Sequence, residues 1–124
     1  MRLLLDTHAL LWWLADEELV TSARAGIADP ANSVAVSAAS AWEISIKKAL
    51  GKLVAPDDLE QQILTSGFDA LAISIRHALA AERLPRHHED PFDRILIAQA
   101  QAEQMTIVTR EKRFGEYDVP VIPA

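Results

Sequence analysis

Four carboxylates stand where a folded chain rarely places them. Asp6 directly follows Leu3-Leu4-Leu5, at the carboxyl end of a short apolar run. On a helix, Glu43 has Ala39, Ile46, Lys47 and Leu50 as same-face neighbours, mostly apolar. An ionised carboxylate on such a stripe costs on the order of several kcal/mol unless a cation or hydrogen bonds compensate. Asp93 opens a helix whose same-face residues are Leu96, Ile97 and Ala100. Glu111 lies two residues past Thr106-Ile107-Val108-Thr109. Each acid also has an ordinary explanation. Asp6 can cap a helix, Glu43 can pair with Lys47, Asp93 can favour the helix dipole, and Glu111 can be an exposed turn residue. Together they share one placement, just past strand ends or in early helical turns. Carboxylates crowded at one edge repel, and a raised pKa or a bound cation resolves that repulsion. The chain has no cysteine and no histidine pair at ligand spacing, so the donors are oxygens. Oxygen donors suit Mg²⁺ or Mn²⁺ rather than zinc.

The elements that would position these acids alternate between strand and helix. Arg2–Leu5, Ser33–Val36, Phe68–Ile73, Thr106–Thr109 and Val119–Ile122 read as strands. Helices are expected from Thr7 to Trp13 or Leu14, over Thr21–Ala28, Ser37–Leu50, Asp57–Thr65 and Ser74–Arg83, and from Pro91 to about Gln104. Gly51 and Gly67 supply left-handed ends, and Asp90-Pro91 supplies an N-cap with proline at the first helical position. Arg110–Phe114 reads as one turn. The order predicts an α/β fold of three layers, with a central parallel sheet of four to five strands and helices on both faces. Ligands of such sheets sit beyond the carboxyl ends of the strands, where the four acids fall.

The bulk composition bounds the rest. At 124 residues the chain is expected to be one domain, 1–124, and 50% hydrophobic residues suffice for a core. No uninterrupted apolar stretch is long enough to span a membrane, and Asp6 breaks the opening leucine run before it could serve as a secretory signal. A cytoplasmic protein is expected. The net charge of −6 runs against a nucleic-acid binder unless its groove is locally basic. Arg110, Lys112 and Arg113 form one basic cluster beside Glu111, and Lys47, Lys48 and Lys52 form another.

At this point the sequence resembles a known family. Leu3-Leu4-Leu5-Asp6-Thr7-His8-Ala9-Leu10 is similar to the opening strand and first acid of PIN domains. Ser37-Ala38-Ala39-Ser40-Ala41-Trp42-Glu43-Ile44 resembles the segment that carries the second acid. Asp90-Pro91-Phe92-Asp93-Arg94-Ile95-Leu96-Ile97-Ala98-Gln99-Ala100 resembles the third motif, with Asp93 matched to the metal-binding acid, and Ile107-Val108-Thr109-Arg110-Glu111 resembles the fourth. The four occur in order across nearly the whole chain. The fourth acid is more often Asp in the family; here it is Glu111.

The resemblance implies a PIN fold and the activity of VapC-type toxins: a Mg²⁺- or Mn²⁺-dependent endoribonuclease acting on RNA, made beside a small antitoxin protein and usually dimeric. Asp6, Glu43 and Asp93 would hold the ion, and Glu111 would support them. Thr7, Thr109 and Asp90 are candidate supports of the acids. Arg110, Lys112 and Arg113 are candidate phosphate contacts. Trp12 and Trp13, beside Leu11 and Leu14, suggest an apolar groove for a partner helix. Trp42 is expected in the core, His8 is expected to pack or cap, and Arg86-His87-His88 is expected as surface. Two other readings stay open. A phosphatase with Asp6 as nucleophile would want a second Asp where His8 stands. A degenerate PIN fold would bind RNA or protein without cutting.

Overall fold

The computed structural model describes all 124 residues. Five strands form one wholly parallel sheet: β1 Arg2–Leu5, β2 Ser33–Ser37, β3 Asp69–Leu71, β4 Thr106–Thr109 and β5 Val121–Pro123. Their order across the sheet is β3-β2-β1-β4-β5. Six helices connect them: α1 Thr7–Ala15, α2 Thr21–Ala28, α3 Ala38–Ala49, α4 Leu59–Thr65, α5 Ile75–Arg83 and α6 Pro91–Glu103. A 3₁₀ turn, Lys112–Glu116, follows β4. None of these helices is long and apolar enough to cross a membrane.

The strand alternation sorts the core into two layers. Leu3, Leu5, Val34, Val36 and Val108 face one cluster with Ala9 and Leu10 of α1, Ala23 and Ile27 of α2, Ile44 of α3 and Ile63 of α4. Leu4, Ala35 and Ile107 face the other, with Leu96, Ile97 and Ala100 of α6 and Phe114 and Tyr117 beyond β4. Period-two side-chain alternation in a sheet covered on both faces has this outcome.

Small differences from the sequence reading have local causes. Ser37 ends β2 and caps α3 by accepting from the Ala39 amide at 3.0 Å, so the helix begins one residue later than expected. Asp57 pairs with Lys48 of α3 instead of entering a helix, and α4 starts at Leu59. The third strand shrinks to Asp69–Leu71 because it is the sheet edge, paired only with β2. Phe68, expected within that strand, is buried just before it.

The chain runs outward from β1 through β2 to β3, then returns to β4 on the other side of β1. The topological switch therefore lies between β1 and β4. Loops diverge there and leave a crevice at the carboxyl ends of the strands.

Candidate active site

Asp6 closes β1 and caps α1. Its extended backbone sets Oδ1 to accept from the Ala9 amide at 2.8 Å, and Oδ2 accepts from the Thr109 hydroxyl at 2.6 Å. Burial pushes its pKa up, against these two hydrogen bonds. Glu43, one turn into α3, is only 4% exposed. Its Oε1 accepts from the Thr7 hydroxyl at 2.6 Å, and its Oε2 meets Lys47 Nζ at 2.5 Å. That carboxylate raises the Lys47 pKa. The cation offsets the charge that the apolar stripe would otherwise reject.

Asp93 enters from the opposite helix. Asp90 caps α6 by accepting from the amides of Phe92 at 2.8 Å and Asp93 at 3.2 Å. Pro91 follows where no amide is needed. Asp93 Oδ2 lies 2.6 Å from His88 Nε2. Burial, then the neighbouring Asp90 charge, raises the Asp93 pKa to about 7. Glu111 caps the 3₁₀ turn through the Arg113 amide at 3.0 Å, and its carboxylate takes the Arg113 guanidinium at 2.9 and 3.1 Å. Arg113 thereby lowers the Glu111 pKa to about 2.

All four acids line one cavity of about 160 Å³, with Asp90 as a fifth carboxylate and no hydrophobic residue in its wall. Thr7, His8, Lys47, His88 and Arg113 complete it. Five carboxylates thus face two permanent cations; burial is the first cause of the raised pKa at Asp6 and Asp93, and neighbouring carboxylates add to it. Five carboxylates in one wall are oxygen donors of the kind that suits a hard divalent cation. In this arrangement no three of the acids and imidazoles are grouped as ready ligands. The chain's own threonines and Lys47 hold the carboxylate oxygens instead.

Of the residues expected to touch phosphate, only Arg113 reaches the cavity, and it is engaged by Glu111. Arg110 turns away. Its guanidinium lies over the Trp12 ring at 4.1 Å and donates to the Glu18 carbonyl at 2.6 Å and the Ala124 carbonyl at 3.0 Å. Lys112 is exposed. Trp12 and Trp13 are half-buried, and Trp12 lines an apolar groove with Leu11 and Leu14. His8 is exposed and leans on Trp12, with ring centroids 5.7 Å apart.

Two expectations are corrected. Trp42 is not core: it is 62% exposed, because the inward face of α3 is taken by Ala39, Glu43 and Ile44. His88 is not surface: it is 4% exposed, held by the Tyr117 hydroxyl at its amide, by Arg94 at its carbonyl and by Asp93 at its ring. Sequence reasoning also passed over Arg94, which is buried in α6. Lys47, four residues after Glu43, carried a readable signal; His88 and Arg94 carried none without the fold.

A family model described as the PIN domain matches residues 3–120. A curated relative, Ribonuclease VapC22 of Mycobacterium tuberculosis, is 28% identical over 125 residues, covering 94% of this chain and 92% of its own length. Among solved structures, VapBC2 from Rickettsia felis bound to a DNA fragment from the promoter superposes with a TM-score of 0.72 at 16% identity, covering 98% of both chains. FitAcB from Neisseria gonorrhoeae superposes with a TM-score of 0.68 at 20% identity, covering 98% of this chain and 96% of the other.

Proposed function

The chain belongs to the PIN-domain family, and from that premise we propose that it is a metal-dependent endoribonuclease acting as the toxin of a toxin–antitoxin pair. The observation that carries the reading is the cavity at the β1/β4 switch, walled by five carboxylates and no apolar residue. The name of the VapC22 relative and the fold shared with VapBC2 support it.

In this reading Asp6, Glu43 and Asp93 would hold one or two Mg²⁺ or Mn²⁺ ions, with Glu111 supporting. A bound divalent ion supplies positive charge at the scissile phosphate and makes a water acidic enough to attack phosphorus near neutral pH. The protein's part is orientation. Thr109 and Thr7 fix one oxygen each of Asp6 and Glu43, and His88 fixes one oxygen of Asp93. Lys47 pairs with Glu43 and balances its charge where no ion is bound. In-line attack leaves a 5′-phosphate and a 3′-hydroxyl. The substrate is single-stranded or structured RNA.

The apolar groove beside the cavity is our candidate seat for the antitoxin. It measures about 480 Å³, is lined by Leu11, Trp12, Leu14, Leu53, Val54 and Pro56, and shares His8 with the acidic cavity. A partner segment lying there would reach the acids. A homodimer and a cytoplasmic location complete the reading.

One observation favours a second reading, a binding-only PIN fold: the Glu111 carboxylate is fully engaged by Arg113. Incubation with RNA and Mn²⁺ or Mg²⁺, then with EDTA, separates the two. Cleavage that EDTA abolishes is expected, and Asp6→Asn should keep the circular dichroism of the parent while losing cleavage. Binding without cleavage under every metal condition would select the second reading.

A further inference from the structure

The acidic balance of the chain leaves a question about RNA affinity. Phosphate contacts normally supply most of it. Here Arg110 is bound to Trp12, Glu18 and the C-terminal carbonyl, Arg113 to Glu111, Lys47 to Glu43 and Lys48 to Asp57. Stacking on aromatic faces is the other general source of affinity for single strands, and it does not depend on charge.

Trp42 and Phe92 provide such a surface on the two helices that carry Glu43 and Asp93. Each directly precedes a cavity acid: Trp42 precedes Glu43 on α3, and Phe92 precedes Asp93 on α6. Adjacent helical residues point about 100° apart. Each aromatic ring therefore sits on the helix face adjoining the one that carries the acid. The two helices pack together, and the rings meet edge to face, with centroids 5.5 Å apart and planes at 78°. An edge-to-face pair leaves at least one indole face free, and Trp42 is 62% exposed while Phe92 is half-buried. Phe92 thus braces the indole, and the exposed ring stands one residue before Glu43 on α3.

We propose that Trp42, braced by Phe92, is a base-stacking platform that seats an unpaired nucleobase of single-stranded RNA next to the scissile phosphate. The inference rests on the nuclease reading and adds to it a subsite that favours unpaired over duplexed strands, because a paired base has no free face to offer. A lone exposed tryptophan is unremarkable. What singles this one out is its bracing by Phe92 and the fact that each ring of the pair immediately precedes a cavity acid.

The test is anisotropy of a short fluorescein-labelled single-stranded RNA titrated with the Asp6→Asn protein, which cannot cut it. Adding Trp42→Ala should weaken binding by roughly 5- to 100-fold, and Trp42→Phe should restore most of the loss. The same measurement with abasic nucleotides walked along the RNA gives a double-mutant cycle. At one position the abasic substitution and Trp42→Ala should be non-additive, with the abasic loss vanishing in the variant. Unchanged affinity in Trp42→Ala, or additive losses at every position, would overturn the platform. So would a shift from dimer to monomer in Trp42→Ala without that coupling, which would assign the ring to a second copy of the chain. Cleavage by the unaltered protein is scored separately: cleavage intact with additive losses overturns the platform alone, whereas no binding and no cleavage overturns both readings.

Discussion

The Thr109 hydroxyl donates to Asp6 Oδ2 at 2.6 Å, tying the end of β4 to the end of β1 across 103 residues of sequence. This bond crosses the topological switch and is one of two that restrain a carboxylate whose pKa burial has raised. Thr109→Val removes the donor while keeping the shape. Loss of a hydrogen bond to the charged form raises the Asp6 pKa further. We expect about 1–3 kcal/mol less stability at pH 7 by urea denaturation, and metal binding whose pH midpoint moves upward in calorimetric titration. Thr109→Ser should behave like the parent. A pH midpoint that stays in place in Thr109→Val would show that the bond does not govern Asp6.

Asp93 sets a pH dependence of the metal-free protein. Its folded pKa of about 7 lies above the ordinary aspartate value of 3.8, so between the two the folded state holds a proton that the unfolded chain has released. Below about pH 4 both states are protonated and the contribution is fully present. It declines as pH rises from about 4 towards 7, where the unfolded chain binds fewer protons than the folded one, and levels off above, where both have released the proton. Denaturation from pH 4 to 8 should therefore show a smaller decline in Asp93→Asn than in the parent. Mn²⁺ or Mg²⁺ should raise the parent's Tm most at pH 7 and above, where the carboxylates are ionised. Equal slopes in parent and variant would remove Asp93 as the source.

That Asp6, Glu43, Asp93 and Glu111 share one cavity is legible in the sequence, for a physical reason. Asp6, Glu43 and Asp93 each break a local apolar pattern, and an ionised group against a core face demands compensation. The strands were equally plain where both faces are buried, as in Leu3-Leu4-Leu5. They blurred at β3, where the burial signal fades at the sheet edge. Trp42 went the other way: an indole reads as core by type, yet its outward position depends on which α3 face the sheet takes. His88 and Arg94 were invisible because their partners are backbone groups of a loop and a carboxylate on another element, which no periodicity encodes.

Lys47 is the cation that Glu43 carries in the absence of an ion. Its ammonium reaches Glu43 at 2.5 Å from a side chain 38% exposed, onto a carboxylate only 5% exposed. Lys47→Met leaves that carboxylate buried without its cation, with the Thr7 hydroxyl as the remaining partner. Breaking a buried pair costs about 3–5 kcal/mol, and the exposed lysine reduces this to about 1–3. The same change removes the competitor for an incoming ion. We therefore expect opposite signs in one variant: lower Tm without metal, and a larger Tm rise and tighter Kd with Mn²⁺. A Kd that weakens instead would mean that Lys47 helps to form the ion site rather than holding its place.

Arg94 determines where His88 stands. It is 3% exposed, and its guanidinium donates to the carbonyls of Ala81 at 2.7 Å, Leu84 at 2.9 Å, Pro85 at 3.0 Å and His88 at 2.9 Å. All four acceptors belong to the end of α5 and the loop that leads into α6, so one side chain pins the path that delivers His88 to Asp93. Arg94→Met keeps the volume and strands these carbonyls, each buried acceptor costing about 1–3 kcal/mol when unmet. A loss of about 3 kcal/mol or more is expected from chemical denaturation. Arg94→Lys is the sharper probe, since a point charge cannot fork to four acceptors. It should fold, lose less stability than the methionine variant, and bind Mn²⁺ roughly 10-fold more weakly because the bond orienting Asp93 is no longer fixed. Full metal affinity in a folded Arg94→Lys protein would separate the loop from the site and leave His88 a packing residue.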